Sequence, residues 1–291
     1  RFQEAIDLIR DQLPFPGICG RVCTHPCEFN CRRAEEGDEP VGIRLIKRFL
    51  ADWEEQHGKE RTLKSHISQS KAVAVVGAGP GGMAVADRLA QRGYPVTVFE
   101  KLPVIGGMMA AGIPAYRLPR AVIARAYQRI QKQGVDIRLN TAVGPEGEYT
   151  IADLFEKGYK AVCLAIGAHK GRRLHIPGEN LPGVMDGINL LQQIKLSRLE
   201  EQTGRQEQEE QHFPQGKATR AAVLGGGNTA MDASRSLKRL GLEEVRVLYR
   251  RSRDEMPALP EEVDEAEEEG VKFDFLVSPV RILGDEQNGV T

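Results

Sequence analysis

The chain has 291 residues, 41% of them hydrophobic and 28% charged, and a formal net charge of −1. That length and composition fit a globular protein of two or three domains with a sizeable core. The charge balance gives no reason to expect nucleic acid or an anionic membrane as partner, and no apolar run reaches the roughly 18 residues of a membrane span.

Phe2 to Leu13 has helical spacing, with Phe2, Ala5, Ile6, Ile9 and Leu13 on one face, and Pro14 and Pro16 stop it. Next comes "CGRVCTHPCEFNC", in which Cys19, Cys23, Cys27 and Cys31 stand four apart, four of the chain's five cysteines within 13 residues. Such clustering points to metal or cluster ligation rather than secreted disulfides. Pro26 argues against one continuous helix, so the four are expected in a loop with helical turns. An iron–sulfur cluster is the preferred reading. A tetrahedral zinc site lacks its usual C-x2-C pairs, and four incidental thiols are the bland alternative. His25, beside Pro26, reads as structural. Pro40 is expected to begin a helix to about Gln56, with Ile43, Ile46, Phe49, Leu50 and Trp53 as a core-facing stripe. His57 to Ser70 is polar and reads as a linker.

Val73 to Lys101 has the pattern of a nucleotide-binding unit. A strand-like run, Val73 to Val76, leads into Gly77, Gly79 and Gly82 spaced G-x-G-x-x-G, and Pro80 and Gly81 complete the turn. Met83, Val85, Ala86, Leu89 and Ala90 then recur at helical spacing, Gly93 ends the helix, and Pro95 to Phe99 is a second strand. The first glycine permits the tight turn, the second lets backbone approach a pyrophosphate, and the third lets helix and strand pack closely. The helix N-terminus offers free N–H groups to phosphate. Glu100, 18 residues after Gly82, is placed to accept a ribose hydroxyl. After it, "LPVIGGMMAAGIPAYRLPR" supplies Gly106, Gly107 and Gly112 for close approach to a cofactor. Ala121 to Lys132 reads as helix, Val135 to Leu139 as strand, and Ala161 to Ile166 as a buried strand ending at Gly167, with Cys163 a small core residue. His169 and His175 carry no assigned chemistry.

Pro182 to Gly187 reads as a domain crossing, and Ser197 to Lys217 as a solvated loop with some helix. The fingerprint then recurs. Gly225, Gly227 and Ala230 stand 148 residues after Gly77, Gly79 and Gly82. Where the first unit has Glu100, the second has Tyr249 followed by Arg250 and Arg251. Loss of the acid and gain of two guanidiniums suits a ribose carrying a 2′-phosphate. The expectation is two different dinucleotides, FAD first and NADP second. Pro260 to Glu269 reads as an acidic helix whose acids suit the dipole and need no further explanation. Val271 to Val277 and Val280 to Leu283 resemble strands.

Taken together, "CGRVCTHPCEFNC", "DEPVGIRLIKRF", "VVGAGPGGMA", "GGMMAAGIPAYRLP", "LAIGAHKGR", "GGGNTAMDASR" and "LYRRSRDEMPA" resemble the small-subunit family of NADPH-dependent glutamate synthase. That family includes the N-terminal region of dihydropyrimidine dehydrogenase. The resemblance implies an α/β fold: two Rossmann-like domains in a thioredoxin-reductase-like arrangement behind a helical iron–sulfur domain. The domains are expected at 1–66, 67–185 and 186–291. FAD is implied at Gly77, Gly79, Pro80, Gly81, Gly82, Glu100, Lys101, Gly106, Gly107, Arg117 and Gly167. A nicotinamide dinucleotide, NADP with NAD as the alternative, is implied at Gly225, Gly227, Asn228, Thr229, Ala230, Arg250 and Arg251. [4Fe-4S] ligation is implied for the cysteines. Relatives carry a further cysteine group upstream, and the two groups together hold two clusters. A Gln or Glu that completes one cluster in some relatives is matched here by Lys47, and the cysteine matching Cys19 does not always ligate. Arg1 is not a natural start, and the relatives' C-terminal return over the flavin is not found before Thr291. The chain therefore reads as a fragment with an incomplete flavin site.

The implied activity is that of a cytoplasmic NAD(P)H-dependent oxidoreductase subunit. It would pass electrons from NADPH through FAD to iron–sulfur clusters and on to a larger catalytic subunit or ferredoxin-like acceptor. No catalytic acid, base or nucleophile is assigned. The alternatives are an NAD-using input subunit of a hydrogenase, formate dehydrogenase or other reductase, and a non-catalytic zinc-binding assembly subunit.

Overall fold

The computed structural model describes residues 1–58, 70–171, 173–203, 218–285 and 289–290, with the backbone alone at 198–203 and 289. The expected linker after His57 and most of the polar stretch 197–217 lie outside the described residues. The chain forms two compact units, Arg1–Gly167 and Ala168–Thr291.

The first unit begins with five helices: α1 (Phe2–Gln12), α2 (Pro16–Val22), α3 (Pro26–Phe29), α4 (Arg32–Glu35) and α5 (Ile43–His57). Prolines at the first turn of α2 and α3 fix where these start. The cysteines accordingly sit on short helical turns and the bends between them, as the sequence indicates. Helix α2 crosses α5 closely because Gly20 has no side chain; a Cβ there would lie 2.6 Å from the Arg48 nitrogen. Two expectations for α5 need correction. It starts at Ile43 rather than Pro40, because the backbone first makes a tight turn in which Ile43 N donates to Val41 O at 2.7 Å. Its apolar stripe is also not core. Leu50 is buried, but Ile43, Ile46 and Phe49 are exposed. The ring of Phe2 meets Phe49 and Trp53 edge-on instead.

A parallel sheet follows, built from β1 (Val73–Val76), α6 (Pro80–Gln91), β2 (Val96–Phe99), α7 (Met108–Ala111), α8 (Arg120–Gln131), β3 (Asp136–Arg138), α9 (Ile151–Glu156) and β4 (Ala161–Leu164). The strand order is β3-β2-β1-β4, with Val76 opposite Phe99 and Leu164. Side chains alternate across the sheet. Val75 and Val98 enter a core with Met83, Ala86, Val122, Tyr127 and Ile130, while Ala74, Val76, Phe99 and Leu154 form another. Phe15 and Ile18 belong to the first of these cores, so the cysteine-bearing segment shares a core with the nucleotide unit. The strand at 161–164 is not the buried one expected. Among the described residues it is the sheet edge, with a neighbour on one side, and Ala161 and Leu164 are exposed. Cys163 is half-buried against the core.

The second unit contains α10 (Gly187–Thr203), β5 (Arg220–Leu224), α11 (Asn228–Arg239), β6 (Glu244–Tyr249), α12 (Pro260–Glu268), β7 (Lys272–Phe275), β8 (Gly284–Asp285) and β9 (Gly289–Val290). Strands β5-β6-β7 are parallel, with Leu224 opposite Leu248 and Tyr249 opposite Phe275. Leu190, Met231, Leu237, Val245, Val247 and Val263 fill the core. No strand forms at 280–283, because Pro279 breaks the run and the Ile282 N–H goes to the Pro177 carbonyl. The acids of α12 also do more than suit a dipole. Glu262, Glu265 and Glu269 all accept from the buried guanidinium of Arg235, and Glu269 accepts from Arg239 as well.

Candidate functional site

In the first unit the glycine turn has the geometry of a phosphate cradle. Gly77 has φ +106, and a Cβ on it would meet the Ala165 carbonyl oxygen at 2.4 Å. Helix α6 starts at Gly79 with Pro80 at N1 and no side-chain cap, and open space surrounds Gly81. Its first N–H groups therefore remain available to an anion. Gly107 comes so close to this turn that a Cβ on it would lie 2.9 Å from the Gly79 Cα, and Gly106 N donates to Ala78 O at 3.0 Å. Two side-chain-free backbones thus face each other, a shape that fits the pyrophosphate of a dinucleotide. Arg117 is half-buried, and Lys101 and Gly167 are exposed.

Glu100 is 5% exposed. Its carboxylate accepts from Ala78 N at 2.7 Å and Leu102 N at 2.9 Å, one bond to each oxygen. It therefore braces the glycine turn, and each oxygen keeps lone-pair capacity for a further donor.

The second unit repeats the plan with different chemistry at the strand end. Helix α11 starts at Gly227 without a side-chain cap, and Thr229 is exposed beside it. Gly225 N donates to Leu248 O as Gly77 N does to Phe99 O, which makes Tyr249 the structural counterpart of Glu100. Tyr249 is buried, and its ring lies on Gly226, where a Cβ would come within 2.7 Å of it. Its hydroxyl donates to the Glu255 carbonyl at 2.8 Å. Asn228 Oδ1 accepts from Leu259 N at 3.0 Å, so its side chain holds backbone in this structure. Arg250 and Arg251 are exposed, and no hydrogen bond or ion pair engages either side chain among the described residues. The bland alternative for these arginines is that they are solvated or pair with acids such as Asp254 or Glu255; both acids are exposed, and Glu255, which feels the charge of Arg251, closes a capping box with Ser252.

The four cysteines are not gathered round one point. Among the described residues, no three His, Cys, Asp or Glu side chains form a group that could hold a metal ion. A closed four-cysteine site is therefore not what this arrangement fits. Burial pushes the Cys19 thiol up, against the pull of nearby Lys47. Cys31 is drawn down by the backbone N–H groups of Val41, Arg33 and Ala34. Cys27 is exposed. Thiolate character thus favours Cys31 as a ligand over Cys19. His25 is buried in a left-handed conformation before Pro26, in keeping with a structural role.

Two residues that the sequence reading passed over hold the nucleotide helices in place. Asp87 on α6, with its side chain fully buried, accepts from Gln91, Gln133 and Arg129. Arg235 on α11 is held by the α12 acids. The signal was present, since each is a charge within the buried face of a nucleotide helix.

Comparison with known proteins agrees with this geometry. Residues 71–291 match the pyridine nucleotide-disulphide oxidoreductase family model, and residues 1–59 match that of dihydropyrimidine dehydrogenase domain II, 4Fe-4S cluster. The chain is 43% identical to the NADPH-Fe(3+) oxidoreductase subunit beta of Geobacter sulfurreducens, aligning over 100% of this chain and 41% of that protein. It is 40% identical to the NADP(+)-dependent formate dehydrogenase subunit beta of Moorella thermoacetica, over 99% and 41%. The glutamate synthase [NADPH] small chain of Escherichia coli is 35% identical, over 99% and 59%, which bears out the resemblance seen in the motifs. The chain thus spans about two fifths of the length of the first two relatives. Among solved structures, Mycobacterium tuberculosis FprA in complex with NADPH superposes with a TM-score of 0.61 at 21% identity, covering 76% of this chain and 62% of that one. Lactococcus lactis thioredoxin reductase gives 0.50 at 19% identity, covering 76% and 69%, in line with the thioredoxin-reductase-like fold expected.

Proposed function

The chain belongs to the pyridine nucleotide-disulphide oxidoreductase family, and from that premise we propose that it is the NADPH-oxidising part of a cytoplasmic flavin and iron–sulfur electron-transfer protein. The observation that carries this reading is the difference between the two glycine turns. One ends on the buried carboxylate of Glu100, and the other on Tyr249 with two exposed guanidiniums beyond it. FAD, when bound, supplies a centre that accepts a hydride and releases electrons singly. The residues of this chain bind and orient. Gly77, Gly79, Pro80, Gly81, Gly82 and Gly107 line the first pyrophosphate, with Gly106, Lys101, Arg117 and Gly167 around the rest of FAD. Glu100 uses its spare lone pairs on the adenosine ribose. Gly225, Gly227, Asn228, Thr229 and Ala230 form the second turn, and Arg250 and Arg251 hold the 2′-phosphate of NADP. Cys23, Cys27 and Cys31 would serve as [4Fe-4S] ligands once cluster binding draws them together, since metal binding is coupled to folding of such segments, with Cys19 the weakest candidate of the four. Functionally the chain divides into a cysteine-rich segment (1–66), a flavin part (67–185) and a nicotinamide part (186–291).

The electron acceptor is a larger catalytic subunit or a ferredoxin-like partner, as in glutamate synthase. The Moorella relative favours a second reading, electron exchange with a formate dehydrogenase-type complex. No helix among the described residues is long and apolar enough to cross a membrane.

The test is made on the full-length protein. Flavin bands and an iron–sulfur shoulder, both bleached by NADPH, are expected; a colourless protein containing zinc would overturn the reading in favour of an assembly subunit. One or two charge-assisted hydrogen bonds form there, and even one, at about 1.5–3 kcal/mol, should make kcat/KM favour NADPH over NADH by about ten- to a hundredfold. That preference should collapse in Arg250→Ala/Arg251→Ala. A wild type that prefers NADH, or a ratio unchanged in the double variant, removes the arginines from the 2′-phosphate.

A further inference from the structure

The segment from Arg250 to Leu259 is fastened at several points and open at one. Tyr249 Oη donates to the Glu255 carbonyl at 2.8 Å. Ala258 N donates to Gly226 O at 3.0 Å, and Leu259 N to Asn228 Oδ1 at 3.0 Å. These two bonds tie the far end of the segment to the glycine turn. The Tyr249 ring against Gly226 ties the near end to the same turn. The middle is a one-turn helix, Arg253–Glu255, closed by the Ser252–Glu255 capping box, and Arg253 reaches α12 through Asp264 at 2.6 Å and Glu267 at 2.5 Å. Leu276 N donates to Arg251 O and Val277 N to Tyr249 O, both at 3.2 Å. Within this frame the guanidiniums of Arg250 and Arg251, like the carboxylate of Asp254, stand exposed, and no side-chain hydrogen bond or ion pair engages them among the described residues.

We propose that Tyr249 is a positioning residue for coenzyme selection, its hydroxyl holding the 250–259 segment against the glycine turn so that Arg250 and Arg251 are preset for a 2′-phosphate. Tyr249 touches no ligand in this scheme. Its ring forms the floor beneath Gly226, and its hydroxyl fixes the carbonyl that follows the arginines. A guanidinium on a fixed backbone gives up less freedom when it binds than one on a loose loop, so the brace converts directly into affinity. The inference rests on the assignment of the arginines to a 2′-phosphate.

The experiment uses adenosine 2′,5′-bisphosphate and 5′-AMP, which differ only in that phosphate, titrated into the full-length protein. The wild type is compared with Tyr249→Phe, which keeps the ring on Gly226 and removes only the hydroxyl. The loss of one hydrogen bond, about 1 kcal/mol, should weaken the bisphosphate about fivefold while 5′-AMP changes less than twofold. Arg253→Met loosens the same segment from α12 and should move the ratio in the same direction, so the test stands even if one variant folds poorly. An unchanged ratio in both variants, or an equal loss for both ligands, overturns the positioning role. If the wild type itself does not distinguish the two ligands, the arginine assignment fails, and the two failures are thereby told apart.

Discussion

The two nucleotide-binding units carry opposite charges at the same place. Asp87 and Arg235 stand 148 residues apart, the spacing of the paired glycines, and each lies buried on its nucleotide helix. In the first unit the acid is met by Arg129, Gln133 and Gln91; in the second the base is met by Glu262 and Glu265 of α12 and by its C-cap, Glu269. The strand ends differ likewise, with Glu100 bracing the first turn by two backbone N–H groups and Tyr249 bracing the second by its ring and hydroxyl. The fold therefore demands that these positions be filled and satisfied, and leaves the sign of the charge free. What the strand-end residue leaves exposed beyond it then decides which ribose the unit suits.

The sharpest way to break this equivalence is to neutralise the first unit's charge. Asp87 is wholly buried and the Arg129 side chain is 15% exposed. Arg129 also donates to the Pro14 carbonyl at 3.4 Å, so it joins the cysteine-bearing segment to the nucleotide helix. Asp87→Asn keeps the shape but leaves that guanidinium without its counter-charge. A loss of about 3–5 kcal/mol is expected in urea unfolding. A loss below about 1 kcal/mol would mean that the buried pair is not what holds α6.

Glu100→Gln probes the strand end. The amide can accept from one of Ala78 N and Leu102 N, and turns a donor toward the other. The expected cost is about 2–3 kcal/mol for an unsatisfied buried N–H and a weakened bond. Since both partners of the brace are backbone N–H groups of this chain, the loss should appear in the apo protein as well. A melting temperature unchanged without FAD would show that Glu100 serves only the ribose.

Much of this was legible in the sequence because glycine spacing is a direct record of backbone geometry. Gly77, Gly79, Gly82 and their counterparts 148 residues on are needed wherever helix, strand and phosphate crowd one turn. The sequence shows Tyr249 in place of the acid, yet its contacts with Gly226 and Glu255 depend on how the 250–259 segment folds back, which no local pattern states. The α5 stripe misled for a similar reason. Periodicity marks which residues share a face, while burial depends on what covers that face, and Ile46 and Phe49 remain exposed. The cysteines were found by spacing alone, but spacing along the chain did not bring them to one point.

The smallest effect is expected where the second unit's charge is removed. Arg235→Met takes away a buried guanidinium of similar length, and the acids left behind differ in how well they can reach water. The Glu265 side chain is 53% exposed and Glu269 21%, while Glu262 at 12% is the most confined. Glu269 keeps Arg239 at 2.6 Å. Relaxation toward solvent should hold the cost to about 1–2 kcal/mol, well below that of Asp87→Asn. The pH dependence supplies a second readout. Burial pushes the Glu269 carboxyl up, but hydrogen bonds from Arg239 and Arg235 outweigh it, so its folded value lies below the usual 4.5. A depressed carboxylate contributes stability that is present above its unfolded value and is lost as pH falls through the folded one. The gap between wild type and Arg235→Met should therefore be constant from pH 7 down to about 4.5 and narrow below it as Glu269 protonates. Melting temperatures of the two proteins across that range measure the gap. A difference that stays level through the acid limb would show that the Arg235 cluster stabilises α11 by packing alone, and the charge symmetry with Asp87 would then be incidental.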